Sequence, residues 1–289
     1  VKRILLISCL LTASLFSYAQ QHVFETFKPL YFTGGIPLSE KPTAQNADLK
    51  FQLSFRLNMA KNIKDKGIDV FLGYTQLSEW NIFGVSSPFY DHMFIPGVYC
   101  SWDLRNKAGE DFGNLLFGAE HRSNGREDDY SRSLNHLLVT YSHYLPHNFT
   151  LQATLRGGFS YYGEGLTMAL YNYYCGYLNL AANWTSTNRN WDIMLSVSPI
   201  WNKSIANVTA EVGWKIGRKG SSNPYLFVQY HYGYDEALRD CVYEGPQKYI
   251  EKKGANYVVY DNTASPINPR HMLRFGILLH PSNCWRATL

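Results

Sequence analysis

Beyond its first twenty residues this 289-residue chain holds no run of 18 apolar residues, so no helix of ordinary length is expected to cross a membrane. Charge is scarce as well. Lys and Arg number 27 against 23 Asp and Glu, for a formal charge of +4. No basic cluster is interleaved with aromatics, which excludes a nucleic-acid surface. Cysteines number only five and form no CxxC, so a thiolate metal centre has no support. Cys100, Cys175, Cys241 and Cys284 could pair in an oxidising compartment, but four isolated thiols are the expectation. What the chain has in excess is aromatic residues, 22 Tyr and 16 Phe, a composition suited to a β-rich protein.

The N-terminus has the anatomy of an export signal. Lys2 and Arg3 precede an apolar stretch over 4–16, and Ser17-Tyr18-Ala19 supplies a small-x-small cleavage site. Residues 1–19 are therefore expected to be a signal peptide and residues 20–289 a single domain. Cys9 loosely resembles a lipoprotein box, but only four apolar residues precede it, and lipidation is not expected.

Alternation dominates the remainder. Over 49–59 the odd positions are Leu49, Phe51, Leu53, Phe55, Leu57 and Met59, and the even ones Lys50, Gln52, Ser54, Arg56 and Asn58. That is the period-two signature of a strand with one apolar and one polar face. It returns in Trp191, Ile193, Leu195 and Val197, and from Ala206 to Ile216, with Asn207, Thr209, Glu211 and Lys215 opposite. Strands of soluble sandwiches average about 5–6 residues, whereas a tilted membrane strand needs about 9–11. These segments reach the longer figure.

Twelve such segments are expected: 28–36, 47–60, 68–79, 93–104, 113–123, 133–144, 149–161, 171–184, 190–201, 204–216, 224–238 and 271–280. An even number of long antiparallel strands closes a barrel without edges, which a bilayer demands because unpaired backbone groups find no water there. The fold class is thus all-β, a twelve-stranded antiparallel transmembrane β-barrel. Short connections at 61–67, 105–111, 146–148, 185–189 and 217–223 would be periplasmic turns. The longer 80–92, 124–132 and 239–270 would be outer loops.

Within this pattern one stretch stands out, "EHRSNGREDDYSRSLNHLLVTY". His121 and Ser123 share parity with Leu115, Phe117 and Ala119, so they point to the greasy exterior. Asn135 shares parity with Leu137, Val139 and Tyr141, and a hairpin would set it beside them. Two readings stand on pattern alone. One is an interfacial polar belt satisfied by lipid headgroups. The other is a nucleophile Ser123, a general base His121 and an orienting Asn135, whose substrate, given the direction they face, would be lipid. Gln76 raises a similar question, because its parity with Ile68, Val70, Leu72 and Tyr74 aims an amide outward.

The stretch "HRSNGREDDYSRSLN" resembles the signature of the outer membrane phospholipase A family, His-x-Ser-Asn-Gly-Arg followed by Ser-Arg-Ser-x-Asn. "YTQLSEW" (74–80) and "SSPF" (86–89) match in order, and weaker likeness runs from "FKPLYF" to "GYDEALRD". The resemblance implies a twelve-stranded barrel that hydrolyses phospholipid acyl esters, an A1/A2 activity, with Ser123 as nucleophile, His121 as base and Asn135 orienting the imidazole. It implies Ca2+ beside the triad, held by the Ser131 hydroxyl and the Arg126 carbonyl, with the Ser86 carbonyl supplied by a second subunit. It further implies a calcium-dependent homodimer in the outer membrane, with Gln76 in the contact. Without it, Glu127, Asp128 and Asp129 read as a solvated acidic turn.

The chain departs from the family pattern in the length of 239–270 and in the "PSNCWRATL" that follows the last expected strand. Two other function classes fit a barrel: a non-catalytic porin or structural barrel, and a hydrolase of a different lipid such as lipopolysaccharide. Lys50, Arg56, Glu211 and Lys215 favour a polar, side-chain-filled interior over an open pore.

Overall fold

The structure, a computed structural model, describes residues 24–44, 46–83, 86–126, 131–159, 174–200, 205–217, 224–234, 250–253, 256–259 and 269–280. The expected signal peptide, Cys241, Cys284, the acidic residues 127–129 and the final nine residues lie outside the described residues.

In chain order the strands are β1 (Phe24–Thr26), β2 (Leu30–Pro37), β3 (Asp48–Ala60), β4 (Ile68–Trp80) and β5 (Phe89–Arg105). They continue with β6 (Asp111–Ser123), β7 (Ser133–Leu145), β8 (Phe149–Phe159), β9 (Leu178–Thr185) and β10 (Trp191–Ile200). The last are β11 (Ile205–Lys215), β12 (Tyr225–Gly233), β13 (Ile250–Lys253), β14 (Asn256–Val259) and β15 (Arg270–His280). Strands β2 to β12 pair antiparallel with their chain neighbours, and β15 joins β12 to β2. Twelve strands thereby close a ring with no free edge, the barrel expected from the alternation. A 13-residue strand is about 44 Å long and, tilted by about 45°, rises about 30 Å, the thickness of a bilayer's hydrocarbon.

The faces are reversed relative to a soluble protein. In β3 the polar Lys50, Ser54 and Asn58 are buried in the lumen, while Leu53, Phe55, Leu57 and Met59 are exposed. Val98, Leu137, Leu155, Leu195 and Phe275 continue the apolar exterior around the ring. Near the short-turn rim, rings pair across strands: Phe149 with Trp184 and Trp191 with Trp214, both at 6.1 Å. Trp80 stacks on Phe89 at 5.2 Å near the opposite rim. Aromatic girdles of this kind sit at membrane interfaces.

Ion pairs cross the lumen. Arg274 on β15 is fully buried and donates to both carboxylate oxygens of Asp48 on β3, at 3.1 and 2.7 Å. Arg270 bridges the same Asp48 and Glu79 of β4. These contacts lace the last strand to the third and fourth, across β2. The close approach needs Gly35, where a Cβ would stand 2.5 Å from Asp48 Oδ1 and 2.6 Å from Arg274 Cγ.

Several boundaries differ from expectation. The first strand is not continuous over 28–36. Its path along β3 is interrupted at residues 27–29, where Pro29 has no N–H for a ladder and Phe27 turns inward onto Phe71 and Tyr99. The strand expected over 171–184 begins only at Leu178. Gly176 before it has φ +72°, and a Cβ there would meet the Pro199 carbonyl at 2.4 Å. That over 224–238 stops at Gly233, and β5 starts at Phe89, shortening the expected 80–92 loop to 81–88. Between β12 and β15 lies a separate two-stranded sheet, β13 with β14, which periodicity did not reveal.

Candidate active site

Register brings the expected catalytic residues together. Along β6 and β7 the pairing sets His121 directly opposite Asn135 and Ser123 opposite Ser133. His121 Nδ1 lies 2.9 Å from Asn135 Oδ1. A carbonyl oxygen can only accept, so Nδ1 carries the proton and Nε2 keeps its lone pair. That is the tautomer a general base needs. Ser123 shares the same exterior face two residues further along, partly exposed, and its hydroxyl makes no hydrogen bond among the described residues.

The lumen side fixes this strand from behind. Glu120 and Arg122, which flank His121, point inward, and Arg122 Nη2 donates to Glu120 Oε2 at 2.9 Å. Tyr99 Oη donates to Glu120 Oε1 at 2.8 Å, and Lys28 approaches the same oxygen at 3.3 Å. With its carboxylate held by three donors, Glu120 is buried at 3% exposure. Of its partners, Arg122 is two residues along the same strand and Tyr99 is on neighbouring β5, whereas Lys28 is 92 residues away and no spacing reveals it.

The loop after β6 is organised by Asn124, which sequence reasoning passed over. Its side chain is buried, and Oδ1 accepts from Arg132 N at 2.9 Å and Arg126 N at 3.4 Å. Gly125 follows with φ +65°, and a Cβ there would meet the Phe94 ring at 2.7 Å. Arg126 is carried outward, where Nη2 donates to the carbonyls of Phe89 and Tyr90. The backbone carbonyl of Arg126 and the hydroxyl of Ser131 make no hydrogen bond among the described residues. Ser86 lies in the 81–88 loop, exposed and left-handed at φ 63°, followed by Ser87 at φ 44°. That loop is closed by Trp80 Nε1 donating to the Ser87 carbonyl at 2.7 Å.

Carbonyl and hydroxyl oxygens are the hard donors that calcium takes, and the Arg126 carbonyl and Ser131 hydroxyl, without partners among the described residues, are of the type that fits that ion. Ser86 adds a backbone carbonyl of the same chemical type from a separate loop. Among the described residues no cluster of three or more His, Cys, Asp or Glu could hold a metal, so a thiolate or imidazole centre finds no counterpart there. Cys100 is a free thiol.

Gln76 is exterior, as parity indicated, but not isolated. Tyr74 Oη donates to Gln76 Oε1 at 3.2 Å, Gln76 Nε2 donates to Ser78 Oγ at 3.1 Å, and Ser78 Oγ lies 2.9 Å from His92 Nδ1. Four polar side chains thus form one hydrogen-bonded row on an otherwise apolar face.

Comparison with known proteins gives a consistent picture. The family described as phospholipase A1 matches residues 33–250. A phospholipase A1 of Proteus vulgaris is 27% identical over 202 residues, covering 68% of this chain and 66% of that protein. A protein of Neisseria meningitidis provisionally named phospholipase A1 is 33% identical over 115 residues, 37% of this chain and 30% of its own length. The matched regions therefore span two thirds or less of these curated relatives. Among solved structures, outer membrane phospholipase A from Escherichia coli superposes with a TM-score of 0.68 at 18% identity, over 89% of this chain and 98% of that one. A calcium-bound dimer of the outer membrane phospholipase of Salmonella typhi gives 0.69 at 17% identity, over 91% and 94%. At such identities the likeness is one of fold.

Proposed function

The chain belongs to the phospholipase A1 family, and from that premise we propose that it is a calcium-dependent phospholipase of the outer membrane, cleaving phospholipid acyl esters with A1 and A2 activity. Residues 1–19 serve as its export signal and 20–289 as its barrel domain. The observation that carries this reading is the His121 to Asn135 hydrogen bond of 2.9 Å on an apolar barrel exterior, with Ser123 on the same face. Polar side chains there cost free energy unless paired, and a His–Asn pair on the same face as a serine supplies the base and the orienting group that a serine nucleophile requires.

In the mechanism, a phospholipid slides laterally until an ester carbonyl reaches Ser123. The Ser123 oxygen attacks the carbonyl carbon as its proton passes to His121 Nε2, and Asn135 Oδ1 steadies the imidazolium through Nδ1–H. The tetrahedral adduct collapses, His121 returns the proton to the departing lysophospholipid alkoxide, and the acyl group remains on Ser123. Water then enters, loses a proton to His121 Nε2 and attacks the acyl carbonyl, releasing fatty acid and restoring the Ser123 hydroxyl. Arg126 and Ser131, with Ser86 of a second copy, would hold calcium, whose positive charge there neutralises the developing oxyanion.

The Ser123→Ala variant tests the reading. It is expected to lose fatty-acid release from phospholipid micelles by several orders of magnitude. Its barrel should keep native heat-modifiability on gels, because one partly exposed hydroxyl contributes little to a strand held by its ladder. Full hydrolysis by that variant would remove Ser123 from the mechanism.

A further inference from the structure

The polar chain on the exterior of β4 and β5 has a direction. Ser78 is fully buried, and its oxygen already accepts from Gln76 Nε2. Its own proton has one acceptor among the described residues, His92 Nδ1 at 2.9 Å. Donation therefore runs from Tyr74 to Gln76 to Ser78 to His92, and the imidazole holds its proton on Nε2. The chain ends in an N–H donor that has no partner among the described residues. It sits on the barrel exterior, where a bare donor costs free energy.

Position says what could accept from it. Across the β5–β6 ladder Phe94 pairs with Ser123 and Gly97 with Glu120, so the same register sets Pro96 opposite His121. His92 lies two residues beyond Phe94 towards the long-loop rim, with its ring stacked on Phe94 at 5.4 Å and 18°. Two residues of strand amount to about 7 Å, comparable to the span of the glycerol unit that joins an acyl ester to a phosphate. The Arg126 guanidinium is anchored by Nη2 to the carbonyls of Phe89 and Tyr90. The Phe89 ring in turn rests 4.4 Å from that of His92. The remaining donors of Arg126, Nε and Nη1, have no partner among the described residues.

We propose that His92 Nε2–H, together with the free edge of Arg126, forms the subsite that binds the phosphate of the phospholipid whose ester lies at Ser123. The inference rests on Ser123 being the nucleophile and adds what selects a phospholipid over other acyl esters. A phosphodiester presents anionic oxygens at the headgroup level, and an imidazole N–H beside a guanidinium suits them. Phe94, between His92 and Ser123, spaces the two ends of the substrate.

The test compares two substrates of equal chain length in calcium-containing micelles, a diacyl phosphatidylcholine and a phosphate-free acylglycerol. The His92→Leu variant is expected to lower the ratio of kcat/KM for the phospholipid over that for the acylglycerol about tenfold, mainly through KM. His92→Gln can accept from Ser78 and still donate outward, so it should keep most of the ratio. Loss of packing or of self-association would depress both substrates together and leave the ratio unchanged, and an unchanged ratio overturns the subsite. Inorganic phosphate at millimolar concentration is expected not to inhibit acylglycerol cleavage. Competitive inhibition that His92→Leu abolishes would make this a free-anion site and overturn the headgroup assignment. Failure of the unaltered protein to cleave either ester would instead strike at Ser123 itself.

Discussion

Asn135 and Asn124 are eleven residues apart and support the site in opposite ways. Asn124 is buried and holds backbone, joining residues 126 and 132 across the loop after β6. Asn135 is partly exposed and holds a side chain, fixing the His121 ring. In the proposed reaction that ring becomes cationic, and a hydrogen bond to a charged group is worth about 1.5–3 kcal/mol, roughly tenfold to a hundredfold in rate. Asn135→Ala is therefore expected to reduce kcat by about that factor, well short of the loss from Ser123→Ala, with KM little changed. Steady-state kinetics on micellar phospholipid would check it, and a loss as complete as that from the serine variant would make Asn135 more than an orienting group. At this scale the sequence was readable where chemistry and parity coincide. His121, Ser123 and Asn135 carried a motif and a shared face. Asn124, Glu120 and Ser78 were silent, because each depends on at least one partner that no spacing encodes, Arg132, Lys28 and His92 respectively.

At the scale of strands, alternation was legible because the barrel inverts it so cleanly: Lys50 and Glu211 are buried while Leu53 and Leu195 are exposed. The break at 27–29 was not legible, since Phe27 and Tyr31 keep the parity of an unbroken strand and only the β3 register exposes the slip. Loop ends were equally hidden, because outer loops have no period. The seam between β15 and β3 is where a strand-level prediction can be made. Asp48→Asn removes the bidentate carboxylate of fully buried Arg274 and leaves it the more distant Glu79 Oε1 at 3.7 Å, on a carboxylate that Arg270 also shares. Removing one partner of a buried pair costs about 3–5 kcal/mol. The single variant should unfold at markedly lower denaturant or temperature, followed by loss of heat-modifiability. Adding Arg274→Met, which removes the buried cation that has lost its closest carboxylate, should restore much of the loss. A double variant no more stable than the single one would show that the seam depends on packing around Asp48 rather than on charge balance.

In the proposed function the whole molecule presents its chemistry to the bilayer rather than to the lumen, so its control would come from the membrane plane. One copy carries Ser123, His121 and Asn135 on its own exterior, and Arg126 and Ser131 on its own loop, but in the proposed function the Ser86 oxygen comes from a second copy. Leu72, Tyr74 and Gln76 lie on the β4 exterior beside that site, where the Tyr74 hydroxyl and the Gln76 amide are already bonded along the strand and a partner can cover them at little desolvation cost. A lone copy would then hold a triad without a complete calcium site, which keeps a hydrolase idle among the lipids that are its substrate. Activity is accordingly expected to require calcium and association together. A chelator should abolish hydrolysis reversibly. Ser131→Ala should raise the calcium concentration for half-maximal rate without weakening self-association, since its hydroxyl serves the ion and not the contact. Covalently cross-linked dimers should stay active at dilutions where the uncross-linked protein loses activity. Specific activity measured against the protein-to-detergent ratio decides the matter. A decline that tracks dimer dissociation supports a shared site, whereas a value that holds constant as dimers separate would mean that each barrel is complete on its own and that Ser86 serves no neighbour.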